Sequence, residues 1–226
     1  MDLALSVDRE MGLLAKRREP LLDAEFRKLR AEVLKRDKNT CQACGIQSMQ
    51  GMEVATRDPD GDRHTAAELA AVCPICNSTR HVGLKHSEWK EDDHVVYLPE
   101  ISQTHLSRLM HAVLSTWSEH DNWTTTSNNA IRLLWSRKDS VEILFGTDAN
   151  KATVFGGMLH SLDDKAYSQR RKLTRNLRLL VNPKNFVVEM RAFKQSYESI
   201  PKASWMAVAR SAAPELFESQ AQGALL

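Results

Sequence analysis

The sequence predicts an α+β protein that is mainly α-helical, with a small four-cysteine metal module near its start and a helical C-terminal lobe. Three observations point there. All four cysteines of the 226 residues fall in two close pairs, Cys41-Gln-Ala-Cys44 and Cys73-Pro-Ile-Cys76. The run His94 to Leu98 is β-branched and apolar and is stopped by Pro99, as a short strand would be. Beyond that proline, Leu106, Leu109, Met110, Val113, Leu114 and Trp117 recur at the spacing of an amphipathic helix.

Composition narrows the partners. With 42% hydrophobic and 27% charged residues, the chain can build one fair-sized domain, or a small module plus a second lobe. A net charge of +2 lacks the basic excess of a dedicated nucleic-acid binder, so nucleic acid is not the expected partner. No stretch approaches the roughly 18 to 20 consecutive apolar residues of a membrane span. The chain opens Met1-Asp2-Leu3-Ala4 without a basic segment, long apolar core or small-residue cleavage site. A cytoplasmic protein with reduced thiols is expected.

Residues 1–25 read as an N-terminal arm. Leu3, Leu5, Leu13, Leu14 and the basic triplet Lys16-Arg17-Arg18 suit docking on the body or on a partner. Phe26, Leu29, Val33 and Leu34 then share one helix face, and Lys35-Arg36-Asp37-Lys38-Asn39 leads into the first cysteine pair. A C-x2-C pair sets two thiolates on one tight turn, and two such turns facing each other supply the four soft ligands of a closed, tetrahedral Zn²⁺. Two disulfides would need an oxidising compartment. A thioredoxin-type redox site would use a single pair on a βαβ pattern. Cys41, Cys44, Cys73 and Cys76 are therefore the expected ligands of one structural Zn²⁺. Residues 45–72, 28 in number, are too many for a short ribbon, so something folded must lie between the pairs.

The text from Val33 to Gly45 resembles the opening of HNH endonucleases: a helix, an Arg-Asp pair, then a zinc knuckle. Met52-Glu53-Val54 followed by Asp58-Pro59-Asp60-Gly61-Asp62 is similar to their hairpin, and Glu68 to Asn77 to their second knuckle and metal-binding helix. The resemblance implies a ββα zinc module. It also implies an Asp-His or His-His pair on a strand, one member binding the catalytic metal and the other deprotonating water. Here those positions hold Ala55 and Thr56, and neither can serve. Glu68 stands where an orienting Asn is usual. Asn77 stands where a metal ligand would follow the last cysteine, although a helix cap is the simpler reading. His64 and His81 are nearby but not at the matching places.

Residues 81–93 are polar and read as an exposed loop. After the strand 94–98, Ser102 is a plausible N-cap for the helix of Leu106 to Trp117, and His105 and His111, off its apolar stripe, read as solvated. Short helices are expected at 128–137, at Val141 to Phe145, and at Val154 to Leu162 with Asn150 or Thr153 as cap. Lys165 to Val181 reads as a basic amphipathic helix, with Arg170, Arg171, Lys172, Arg175 and Arg178 around Leu173, Leu177 and Leu180. It could face phosphate, an acidic partner or water. Past Pro183, Phe186, Met190, Phe193 and Tyr197 form another helical face. A last helix after Pro201 carries Trp205 and Val208, and Gln220 to Leu226 should fray. Two places could receive a partner segment: an open edge of the strand His94 to Leu98, and Trp117, Trp135 and Trp205, which are either interface anchors or core.

Val95 to Gln103, Phe145-Gly146 and Val154-Phe155-Gly156 together resemble the IcmJ/DotN family. The resemblance covers residues 26 to about 160. It implies a cytosolic subunit of the coupling complex of type IVB secretion or conjugation systems, held at the inner membrane through that complex. It also implies docking on an extension of the coupling ATPase, alongside other coupling-complex subunits, to help receive protein substrates, with no enzymatic activity. The organisation expected is an arm (1–25), an HNH-like four-cysteine zinc module (26–93) and a helical lobe beginning with a short strand (94–226). The alternative is a metal-dependent DNA endonuclease or nucleic-acid-binding module.

Overall fold

The structure, a computed structural model, describes residues 1, 3–7, 24–58, 60, 65–83, 92–115 and 125–199. Helix α1 (Ala24–Arg36) carries Glu25 in its first turn and Lys35 and Arg36 in its last, each charge opposing the helix dipole. It ends as Lys38 and Asn39 enter the left-handed region. The next residue but one is the first cysteine. The Arg36-Asp37 pair holds this corner together: Arg36 donates to Asp37 and to the carbonyl of Leu69, and the Asp37 carboxylate accepts from the Ala71 N–H at 2.8 Å. Although burial pushes the Asp37 carboxyl up, those hydrogen bonds win and hold it below the usual carboxylate range.

Strand β1 (Glu53–Thr56) pairs antiparallel with β2 (Leu69–Val72), Glu53 opposite Val72 and Thr56 opposite Leu69. A capping box between Thr65 and Glu68 closes the turn that enters β2. β2 runs directly into the short helix α2 (Pro74–Ser78), whose N-cap is Cys73 and whose first residue is Pro74, a position where a missing N–H costs nothing.

The second sheet is also two-stranded. β3 (His94–Tyr97) pairs antiparallel with β4 (Leu177–Leu180), Tyr97 opposite Leu177. Between them run α3 (Gln103–Ser115), α4 (Thr125–Trp135), α5 (Asp139–Phe145), α6 (Ala152–Ser161), α7 (Asp164–Ser168) and α8 (Arg170–Leu173), and after them α9 (Val187–Glu198). The fold is thus mixed helix and sheet, mainly helical among the described residues. The α3 cap is as expected: Ser102 Oγ accepts from the His105 N–H at 3.2 Å. Helix α6 differs, because its N-cap is Lys151, without a side-chain cap bond; the backbone carbonyl of Asn150 accepts from the Val95 N–H.

Three expectations are corrected. Lys165 to Val181 is not one helix but α7, α8 and the strand β4. Leu173, Leu177 and Leu180 fit a helical period, yet Leu177, Leu179 and Leu180 are all buried against β3, and strand pairing overrides the local pattern. The edge expected open at 94–98 is partly taken: β4 pairs along one side, and on the other His94 bridges to Lys151 and the Val95 N–H donates to the Asn150 carbonyl. The stretch 81–93 is not simply an exposed loop. His81, Val82 and Asp93 are buried, and Asp93 Oδ1 accepts from the Asn182 N–H at 2.7 Å. Gly83 and Gly156 permit this close approach, since a Cβ on Gly156 would stand 2.2 Å from the Val82 carbonyl oxygen.

The start of the arm docks on the body. Leu3 and Leu5 are buried. The Ser6 N–H donates to Thr79 O, and the Val82 N–H donates to Ser6 O, both at 2.9 Å. Tyr167 Oη donates to Val7 O at 2.7 Å. Arg170, 1% exposed, donates to Ser6 Oγ at 3.1 Å and to both oxygens of Asp60 at 2.6 and 2.7 Å. Leu13, Leu14, Lys16 to Arg18 and the helix expected after Pro201 lie outside the described residues. One apolar core runs through the cysteine turns, both sheets, α3, α6 and α9.

Candidate metal centre

The four expected ligands come together. Cys41 and Cys44 sit on the turn after α1, and Cys73 and Cys76 on the turn opening α2. Each turn is closed the same way: the Cys44 N–H donates to Cys41 Sγ and the Cys76 N–H to Cys73 Sγ, both at 3.4 Å. Gly45, at φ +83°, lets the chain turn away behind the first pair. A bond from the Gln42 N–H to Ala71 O at 2.9 Å fastens that turn to β2. The cysteines are buried and free of disulfides, and all four sulfurs lie within 4.8 Å of one another. Cys44 Sγ and Cys73 Sγ are 3.7 Å apart. That is too long for a disulfide. It is close to the edge, about 3.8 Å, of a tetrahedron whose corners lie ~2.3 Å from a zinc ion.

The electrostatics favour a cation. Burial pushes the Cys73 and Cys76 thiols well up, while hydrogen bonds from Cys41, Cys73 and Cys76 hold the Cys44 thiol well down. Four thiolates cannot crowd together in a dry site without a positive charge among them. The donor set therefore fits a soft, four-coordinate metal ion, and these four residues could hold one.

One functional residue escaped the sequence reading. His111 is not solvated: it is 3% exposed, with Nε2 3.2 Å from Cys73 Sγ and Nδ1 2.9 Å from Tyr197 Oη. The signal was there in outline. Gln103, Ser107 and His111 recur every four residues along α3 and are all buried, an uncharged polar line on a helix that buries more than its apolar stripe. His105 is exposed, as expected.

At the positions where an HNH strand would deliver its catalytic pair, Ala55 and Thr56 are buried, and the Thr56 hydroxyl accepts from Arg80. Asn77 is no helix cap, a role taken by Cys73. Its amide nitrogen donates to the Glu53 carboxylate, and its buried Oδ1 has no partner among the described residues. Glu68 is engaged in its capping box, and His64 lies outside the described residues. Of the tryptophans considered as anchors, Trp117 and Trp205 also lie outside them. Trp135 is half-buried, edge-on to His94. The exposed apolar side chains are elsewhere, with Ile143 84% exposed beside Leu144 and Phe145 on α5. The basic run, no longer a helix, lines a groove of about 330 Å³ with Arg171, Arg175 and Arg178, opposite Met1, Leu3, Ala4, Leu5 and the start of α3. No helix among the described residues is long and apolar enough to cross a membrane.

These features define a mixed α and β protein with a buried four-cysteine centre able to hold a metal ion, joined to a helical body. Among curated proteins the chain is similar to the type 4 apparatus protein DotN of Legionella pneumophila. It is 25% identical to that protein over 165 residues, 73% of this chain and 77% of the relative. The likeness to the IcmJ/DotN family thus extends over most of the chain. No family model matches it.

Proposed function

We propose that the chain is a non-catalytic, zinc-binding scaffold subunit of a type IV apparatus, working within a type IVB coupling complex. The observation that carries this is the likeness to a type 4 apparatus protein over nearly three quarters of the chain. The four buried sulfurs support the zinc reading. In it Cys41, Cys44, Cys73 and Cys76 hold one Zn²⁺, which offsets half of their charge and cross-links the end of α1 to the start of α2. The order of cysteine turn, hairpin, cysteine turn and helix supports an HNH-like module at 26–93, carrying the lobe 94–226. Ala55 and the tied hydroxyl of Thr56 support catalytic silence, because neither offers a metal ligand or a base.

In this reading the chain docks on an extension of the coupling ATPase and, with other subunits, helps receive substrates. A tagged chain expressed from its native locus should copurify with the coupling ATPase and its neighbours, with one zinc per chain, and should leave plasmid DNA uncut in Mg²⁺ or Mn²⁺. A chain that purifies without apparatus components, or that nicks DNA and stops when Asn77 or His81 is replaced, would refute it.

A further inference from the structure

We propose that Tyr197 and His111 form a hydrogen-bond relay onto the Cys73 sulfur, coupling metal occupancy to the seating of helix α9. The inference rests on the cysteine cluster holding zinc, and it concerns residues that are not themselves ligands.

A zinc-bound thiolate can only accept, so the ring nitrogen 3.2 Å from Cys73 Sγ must carry a proton, which in a neutral imidazole makes His111 the Nε2–H tautomer. Nδ1 is then a lone pair, and the group 2.9 Å from it is the Tyr197 hydroxyl, a donor at neutral pH. The chain of donors runs one way, from Tyr197 O–H to His111 Nδ1 and from His111 Nε2–H to Cys73. Both side chains are buried, so water does not compete for either bond. A zinc centre of four thiolates carries two excess negative charges, and hydrogen bonds to the sulfurs spread them. Cys73 thus receives a side-chain donor as well as the backbone N–H of Cys76.

The same relay ties α9 to the metal module. Phe193, one turn before Tyr197, stacks on the His111 ring with centroids 5.8 Å apart. It also fills the space over Gly51, where a Cβ would lie 2.8 Å from its ring. Ser48 Oγ donates to the Ala192 carbonyl at 3.5 Å. Helix α9 therefore meets the module through the turn 48–51 and through the residue that touches a zinc-ligand sulfur. Because coupling is reciprocal, whatever α9 contributes to holding the metal, the metal contributes to holding α9.

The test uses the full chain, with zinc as the probe. Zinc stoichiometry of the wild type is measured first; a chain that binds none overturns the metal reading itself, separately from the relay. Zinc affinity is then measured by chelator competition. His111→Leu should lose about 10- to 100-fold, the usual cost of removing a group that orients a metal ligand. His111→Gln, which can place an N–H where Nε2 stood, should stay close to wild type, and Tyr197→Phe should fall between. In ¹⁵N-histidine spectra of the zinc-loaded protein His111 should be the Nε2–H tautomer. In zinc-loaded Tyr197→Phe, amide exchange across Val187–Glu198 should quicken while α1 stays protected. If His111→Leu does not fold, the spectrum and the Tyr197→Phe exchange still decide. An Nδ1–H tautomer, wild-type zinc affinity in His111→Leu, or unchanged α9 exchange in Tyr197→Phe overturns the relay.

Discussion

Removing Asp60 should harm the protein more than removing its partner Arg170, although the two make the same ion pair. The Arg170 guanidinium is 1% exposed and the Asp60 side chain 54% exposed. Among the described residues, Asp60→Ala leaves a buried cation with only the Tyr167 carbonyl at 3.2 Å, the Ser6 hydroxyl at 3.1 Å and the Tyr167 ring beneath it at 4.2 Å. Stranding a buried charge costs about 3–5 kcal/mol. Arg170→Met removes that charge, fills much of its volume, and leaves Asp60 to water. What is lost is then a few hydrogen bonds, each worth about 0.5–1.5 kcal/mol net, partly offset by the apolar side chain. Urea denaturation of both single variants and the double variant measures this directly. The double variant should be more stable than Asp60→Ala alone, because the stranded charge is gone. Equal losses in the two single variants, or a double variant at the sum of both, would refute the assignment of Arg170 as a buried cation that depends on Asp60.

Three further outcomes follow from the same contacts. Cys73→Ser should abolish zinc binding and unfold the region 26–83, since structural zinc contributes about 10–16 kcal/mol in small modules against a total stability of about 5–15 kcal/mol; a zinc-free variant with a wild-type circular dichroism spectrum and melting curve would contradict this. Gly156→Ala should loosen the packing of Val82 and Gly83 on α6, because the new Cβ meets a backbone carbonyl that cannot rotate aside; limited proteolysis near residues 82–92 should quicken. Asp37→Asn should cost about 1.5–3 kcal/mol at neutral pH, the range for hydrogen bonds to a charged group. The folded Asp37 titrates below its ordinary value, so its contribution is present above about pH 4 and lost as pH falls through the lower folded value. The stability gap between wild type and Asp37→Asn should therefore be flat from pH 6 to 8 and close in acid.

What the sequence revealed was set by local chemistry. The cysteine pairs announce themselves because two thiolates on one turn depend only on the short chain between them, and Ser102 announces α3 because a cap acts on the next turn. Val95 and Val96 mark β3 for the same reason. The basic run failed because its fate was decided elsewhere: whether Leu177 to Leu180 coils or extends depends on β3, some 80 residues earlier, and no window on the run contains that information. Arg170 reads as surface charge until Asp60 and Ser6 are seen around it.

His111 shows the limit most clearly. An apolar stripe says which face of a helix meets the core only when one face is buried. Helix α3 is clasped between the cysteine module, β4 and α9, so the line Gln103, Ser107, His111 is buried as well, and each polar group must find a partner there. Gln103 does so on the backbone of Leu179, accepting its N–H at 2.8 Å and donating to its carbonyl at 3.0 Å; His111 does so on Cys73 and Tyr197. A polar residue repeated every four positions on a helix without charges on that line is thus a better sign of a second buried face than of solvent. In this chain that second face is where the helical body meets the four-cysteine cluster.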